Sequence, residues 1–194
     1  MRLSSRLFLS TLLLFVLSSH GLSQKRFCPV PPPSPFKHSG RIVTSLDRSI
    51  KRMRTTLEHP RALGKGTEGL YFAASFVHHD PRRPATPSVE LVFASSSPVA
   101  RYQDSHNLVL FCDGRQLAVN QKASYKSETG AGGAALEATR ISLAYSDVLA
   151  ITRSRKVSAR LGATDVEFTN NHLEALRELV SLIAPPAGRW GAEE

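Results

Sequence analysis

Cysteine is scarce, with two in 194 residues, and this excludes the disulfide-dense scaffold of a small secreted domain. Long apolar runs are scarcer still. The one sustained stretch, Leu7 to Leu17, covers 11 residues, against the roughly 20 that a membrane-crossing helix needs. Several motifs are missing altogether. The chain has no Gly-x-Ser-x-Gly, no His-Glu-x-x-His, no Cys-x-x-Cys and no glycine-rich loop ending in Lys-Ser/Thr. The local footings of serine hydrolases, zinc proteases, thiol oxidoreductases and phosphate-loop enzymes are therefore not there. An Asn-x-Ser/Thr sequon is also lacking, which suits a bacterial source. With 41% hydrophobic and 21% charged residues, the chain has enough apolar surface to fold rather than stay disordered.

The N-terminus has three zones: Arg2 and Arg6, then the apolar run, then the short SSHGLS segment. This is the layout of a secretory signal peptide, with cleavage expected after Ser23. Export to the periplasm or the extracellular space follows. Residues 24–40 (QKRFCPVPPPSPFKHSG) read as an extended proline-rich linker, because Pro29, Pro31, Pro32, Pro33 and Pro35 fix φ and remove amide donors. A single domain is expected over 41–184, followed by a frayed tail, 185–194.

The formal charge is +9, and it is unevenly placed. Residues 25–65 hold ten Lys/Arg against two acids, whereas 66–194 are close to neutral. A nucleic-acid-binding domain usually spreads its basic face over the folded body, so nucleic acid is not the expected partner. The basic stretch reads either as a solvated arm or as peripheral contact with an anionic surface such as lipid headgroups.

Period-two alternation predicts strands at Leu70–His78, Val89–Ser95 and 52–58. Asp113-Gly114 between two apolar runs predicts a type I′ hairpin, with Cys112 facing Arg115 and Leu110 facing Leu117. Residues 122–135 read as a loop and Leu136–Leu143 as a strand. Ser146 is expected to cap a short helix near 147–153. Two short strands flank Gly162. Asn171 with Glu174 reads as a capping box for a helix near 171–183, whose stripe is Leu173, Leu176, Leu179 or Val180, and Ile183. The class is mainly β (α+β): an antiparallel β-sandwich or curled sheet of about eight short strands with a C-terminal helix.

The segment VSARLGATDVEFTNNHLEALRELVSLI, preceded by the Cys-Asp-Gly hairpin, resembles the end of exported bacterial domains of unknown function. The resemblance covers about half of the mature chain. It implies export from a bacterial cell and carries over no functional residues.

Two constellations carry potential chemistry. His78-His79-Asp80, with His106 or Asp113 as a further ligand, is a candidate metal site for a hydrolase. Zinc needs three or four donors converging at about 2.0–2.3 Å, and adjacent strand residues point to opposite faces, so Pro81 would have to bend the chain. Cys28 and Cys112 could form a disulfide pinning the linker to the domain, worth roughly 4 kcal/mol in loop entropy. The alternative is a buried free thiol at Cys112. No cofactor is expected. The reading that fits these features best is an exported, non-enzymatic binding domain whose partner is an envelope protein or an anionic polymer.

Overall fold

Alternation of large apolar and small or polar residues sets the longest strands. In β3 (Leu70–His78), Leu70, Phe72, Ala74 and Phe76 point one way and are buried. In β4 (Ser88–Ser97), Val89, Leu91 and Phe93 do the same. A computed structural model describes residues 34–63, 69–79, 86–119 and 121–183. The expected signal peptide, most of the proline-rich segment with Cys28, Asp80 and residues 184–194 lie outside the described residues.

The architecture is mainly β, with two antiparallel sheets and two helices. The larger sheet runs β1-β2-β3-β4-β8-β7, with β1 Arg41–Asp47, β2 Arg52–Ala62, β7 Ser124–Thr129 and β8 Ala135–Ala144. The smaller runs β10-β9-β5-β6, with β5 Leu108–Cys112, β6 Arg115–Gln116, β9 Val157–Leu161 and β10 Thr164–Glu167. Helix α1 (Tyr145–Arg153) packs on β8 and β4, and α2 (Asn170–Ser181) packs on β2 and α1. The inner face of the larger sheet, the smaller sheet and both helices share one core. Phe168 sits at its centre, edge-on to Phe72 at 5.0 Å and to Phe93 at 6.2 Å between ring centroids. Each such buried ring contributes roughly 2–3 kcal/mol through area removed from water.

The hairpin forms as its turn chemistry dictates. Asp113 and Gly114 both have positive φ, 50° and 80°, and Cys112 pairs with Arg115. The amide of Leu117 donates to the Leu110 carbonyl at 2.8 Å. The turn is also braced from outside, because Asp113 Oδ1 accepts the Arg155 and Lys156 amides at 3.0 and 2.9 Å. Gly162 is required where it stands: φ is +57° and a Cβ would lie 2.2 Å from the Ser105 carbonyl oxygen.

Several expectations need correction. Residues 122–135 are not a loop throughout, since Ser124–Thr129 form edge strand β7, followed by a 3₁₀ turn at Ala131–Gly133. The basic stretch is no solvated arm over its described length, because Arg41–Asp47 and Arg52–Ala62 pair as a hairpin. These additions bring the strands to ten among the described residues. The linker's end packs: the His38 ring bonds the Glu178 carboxylate, and Ser39 bonds Asn171. Helix α1 begins at Tyr145, with Ala144 rather than Ser146 in the cap position. Helix α2 begins after Thr169, and its expected capping box is absent. Asn171 instead accepts from Ser39 and His59, while Glu174 pairs with Arg177 at 2.6 Å.

Candidate functional site

The three described candidates among the proposed metal ligands, His78, His79 and His106, are not brought together. His78 ends β3 and is buried, within hydrogen-bonding distance of Thr55 Oγ1 at 3.0 Å, and Thr55 in turn bonds Thr44. His79 is exposed, so the two neighbours point apart, as strand geometry requires. Asp80 lies outside the described residues. His106 stacks on Tyr125 at 4.7 Å. Tyr125 shares a row with Thr139, Phe93 and Phe72. Three strand spacings and six residues along β3 therefore separate it from His78, roughly 25 Å. Among the described residues no group of three or more His, Cys, Asp or Glu side chains could hold a metal ion. Asp113, the further candidate, is occupied by the turn contacts above. Cys112 is a half-buried free thiol whose pKa burial pushes up, so it is a weak nucleophile. Cys28 lies outside the described residues.

Two buried polar knots went unseen in the sequence. The first is centred on Glu137, which faces inward from β8 with only 3% of its surface exposed. Its Oε1 accepts from the Tyr102 amide at 2.8 Å and the Tyr125 hydroxyl at 2.7 Å. Its Oε2 accepts from the Arg101 amide at 2.8 Å and the Ser95 hydroxyl at 3.3 Å. Burial would raise the carboxyl pKa, but these four donors outweigh it and hold the group below the ordinary range. The phenol of Tyr125 is pushed up by burial and by the carboxylate beside it. The knot fastens the irregular stretch after β4 to strands β7 and β8.

The second knot lies between α2 and β2. The rings of His59 and His172 stand 3.9 Å apart. His59 Nε2 donates to Asn171 Oδ1 at 2.6 Å, and its Nδ1 accepts the Arg61 amide at 3.3 Å. His172 Nε2 donates to the Arg61 carbonyl at 3.3 Å, and its Nδ1 accepts from the Thr169 hydroxyl at 2.7 Å. One donor and one acceptor on the His172 ring is the pattern of neutral imidazole. For His172, burial lowers the pKa, the Arg61 carbonyl opposes it, and the neighbouring His59 and Arg61 lower it further. Both knots are closed, with their polar groups directed at other parts of the chain.

The open feature is the outer face of the six-stranded sheet. Across it lie small side chains, among them Ala73, Val92, Ala94, Ala138 and Ser142, which alternate with the buried inner residues. Near the β7 edge a shallow pocket of about 270 Å³ is lined by Tyr71, Ala94, Ser96, Lys126, Leu136 and Ala138. Register explains it. Tyr71, Ala94, Ala138 and Lys126 form one row across four strands. Ser96, Leu136 and Glu128 form the next. Large residues thus wall a floor of small ones. Tyr71 and Leu136 are 43% and 40% exposed, so two large apolar side chains open to solvent flank the pocket.

No family model, curated protein or solved structure matches the chain.

Proposed function

We propose that the chain is an exported, non-enzymatic binding domain that meets a protein partner on the outer face of its six-stranded sheet. The observation that carries this reading is the pocket between Tyr71 and Leu136. An exposed aromatic and an exposed leucine flanking a floor of alanines suit one apolar anchor side chain of a partner, with Lys126 and Glu128 as a polar rim. The leader-like N-terminus and the resemblance to exported bacterial domains support a setting outside the cytoplasm, where an envelope protein is the natural occupant.

The test is photo-cross-linking in the natural host, using the full chain with p-benzoylphenylalanine in place of Leu136. The same substitution at exposed Arg155 serves as control. The expected result is one discrete adduct from position 136, none from 155, and loss of that adduct on adding Ala138→Arg. That arginine fills the pocket and leaves the core face untouched, so its circular dichroism spectrum should match wild type. Equal adducts at both positions, or an adduct indifferent to Ala138→Arg, would overturn the reading.

A further inference from the structure

The β1–β2 hairpin ends in a tip that the core does not cover. Leu46 pairs with Met53, and Met53 with His78, so register turns all three toward the inner face. His78 is buried, yet Leu46 is 59% exposed and Ile50, in the turn, 45%. At this end of the sheet the inner layer stops short. Interleaved with these apolar residues are Arg48, Lys51 and Arg52, all exposed.

The cations of the tip, Arg48, Lys51 and Arg52, outnumber its one acid, Asp47. The nearby acids, Asp47 and Glu90, are both engaged by Arg54, at 3.0 and 3.8 Å. None of Arg48, Lys51 and Arg52 forms an ion pair among the described residues. The tip is also preformed. Asp47 Oδ1 accepts from the Ser49 amide at 3.1 Å and its hydroxyl at 2.6 Å, while Oδ2 takes Arg54 Nε. Lys51 is held at φ 54° to close the turn. Little ordering entropy is therefore left for a partner to oppose.

We propose that this tip, residues 46–53, docks the protein onto a bilayer containing anionic phospholipid. Three cations address the headgroups while Leu46 and Ile50 enter the boundary between headgroups and acyl chains. A naked polyanion such as nucleic acid would use the cations and leave the two apolar residues without a role. A purely apolar protein surface would leave the cations unpaired. The interleaving of both kinds within eight residues matches the chemistry of the lipid interface.

The test is co-sedimentation of the full mature chain with vesicles of phosphatidylcholine containing phosphatidylglycerol, against phosphatidylcholine alone. Binding is expected only to the anionic vesicles and should weaken with salt. The triple variant Arg48→Gln/Lys51→Gln/Arg52→Gln should lose about 100-fold in partitioning, from about fivefold for each cation at the surface. The charge-matched control Lys122→Gln/Arg153→Gln/Arg155→Gln should lose far less. A second readout does not depend on charge. In a Trp190→Phe background, Ile50→Trp should blue-shift its fluorescence on anionic vesicles and stay unshifted on neutral ones. Equal losses from the two triple variants overturn the proposal. So does an unshifted Ile50→Trp spectrum on anionic vesicles, even where the tip cations still bind an oligonucleotide.

Discussion

Two of the buried polar clusters among the described residues solve the same problem in opposite ways. At Glu137 the chain keeps a charge and surrounds it with four donors, two of them backbone amides. At His59 and His172 it stacks two rings, and the hydrogen bonds of His172 suit the uncharged form. A buried carboxylate is tolerable when both oxygens are fully bonded, and it then fastens whatever supplies the donors. A buried imidazole needs only one donor and one acceptor, and it tolerates a like neighbour as long as neither gains a proton. The first knot is strong and specific, while the second carries a built-in weakness toward acid.

The sharpest way to break the comparison is Glu137→Gln. The side chain keeps its shape, but an amide NH₂ would confront either the Arg101 or the Tyr102 amide, placing donor against donor. A loss of about 3 kcal/mol is expected, which lowers the melting temperature by roughly 10 °C for a chain of this size. Hydrogen exchange should rise in the stretch around Arg101 and Tyr102 before it rises in β3. A stability unchanged within error would mean that the carboxylate is a passenger. Next in size is His172→Leu. It keeps the packing but strands the Thr169 hydroxyl and the Arg61 carbonyl, costing about 2 kcal/mol in denaturant unfolding. Tyr125→Phe removes one of four donors to Glu137 and should cost about 1.5 kcal/mol. In the Glu137→Gln background it should cost clearly less, since the two residues share one interaction. Strict additivity in that double-mutant cycle would dissolve the first knot into independent contacts.

How much of this could be read from the sequence depended on how local the determinant was. The Asp113-Gly114 turn carries its own chemistry in two residues, and it formed with the expected register at Cys112 and Arg115. Leu70–His78 was legible because Leu70, Phe72, Ala74 and Phe76 keep one face apolar at period two. Strands β1 and β7 were not, because both lie at edges of the sheet, where neither face needs to be apolar. The capping box at Asn171 looked complete by spacing, yet tertiary partners took its side chain. The His59–His172 contact joins residues far apart in sequence, and no local pattern announces it. Glu137 left a faint signal: counting back by twos from the buried Ile141 and Leu143 lands on it, with Leu136 on the outside. The outer pocket needs the register of four strands at once, which one chain read linearly does not supply. His78 and His79 show the converse, since neighbours in sequence part at the end of a strand: the first is buried and the second exposed.

The smallest effect separates the two knots by pH alone. His172 has a folded pKa below its ordinary value of 6.5, so between those two values the unfolded chain binds more protons than the folded one. Stability from this residue is therefore complete above about pH 6.5 and declines as pH falls toward the folded pKa. Glu137 is also depressed, but from 4.5, so its contribution is complete above about pH 4.5 and declines as pH falls from there toward its folded value. Melting temperatures measured from pH 7.5 down to about 3 should thus fall in two stages. His172→Leu should flatten the upper stage and leave the lower. Glu137→Gln should flatten the lower and leave the upper. If each substitution flattened both, the knots would be one coupled network, and the closed, independent arrangement drawn from their hydrogen bonds would be wrong.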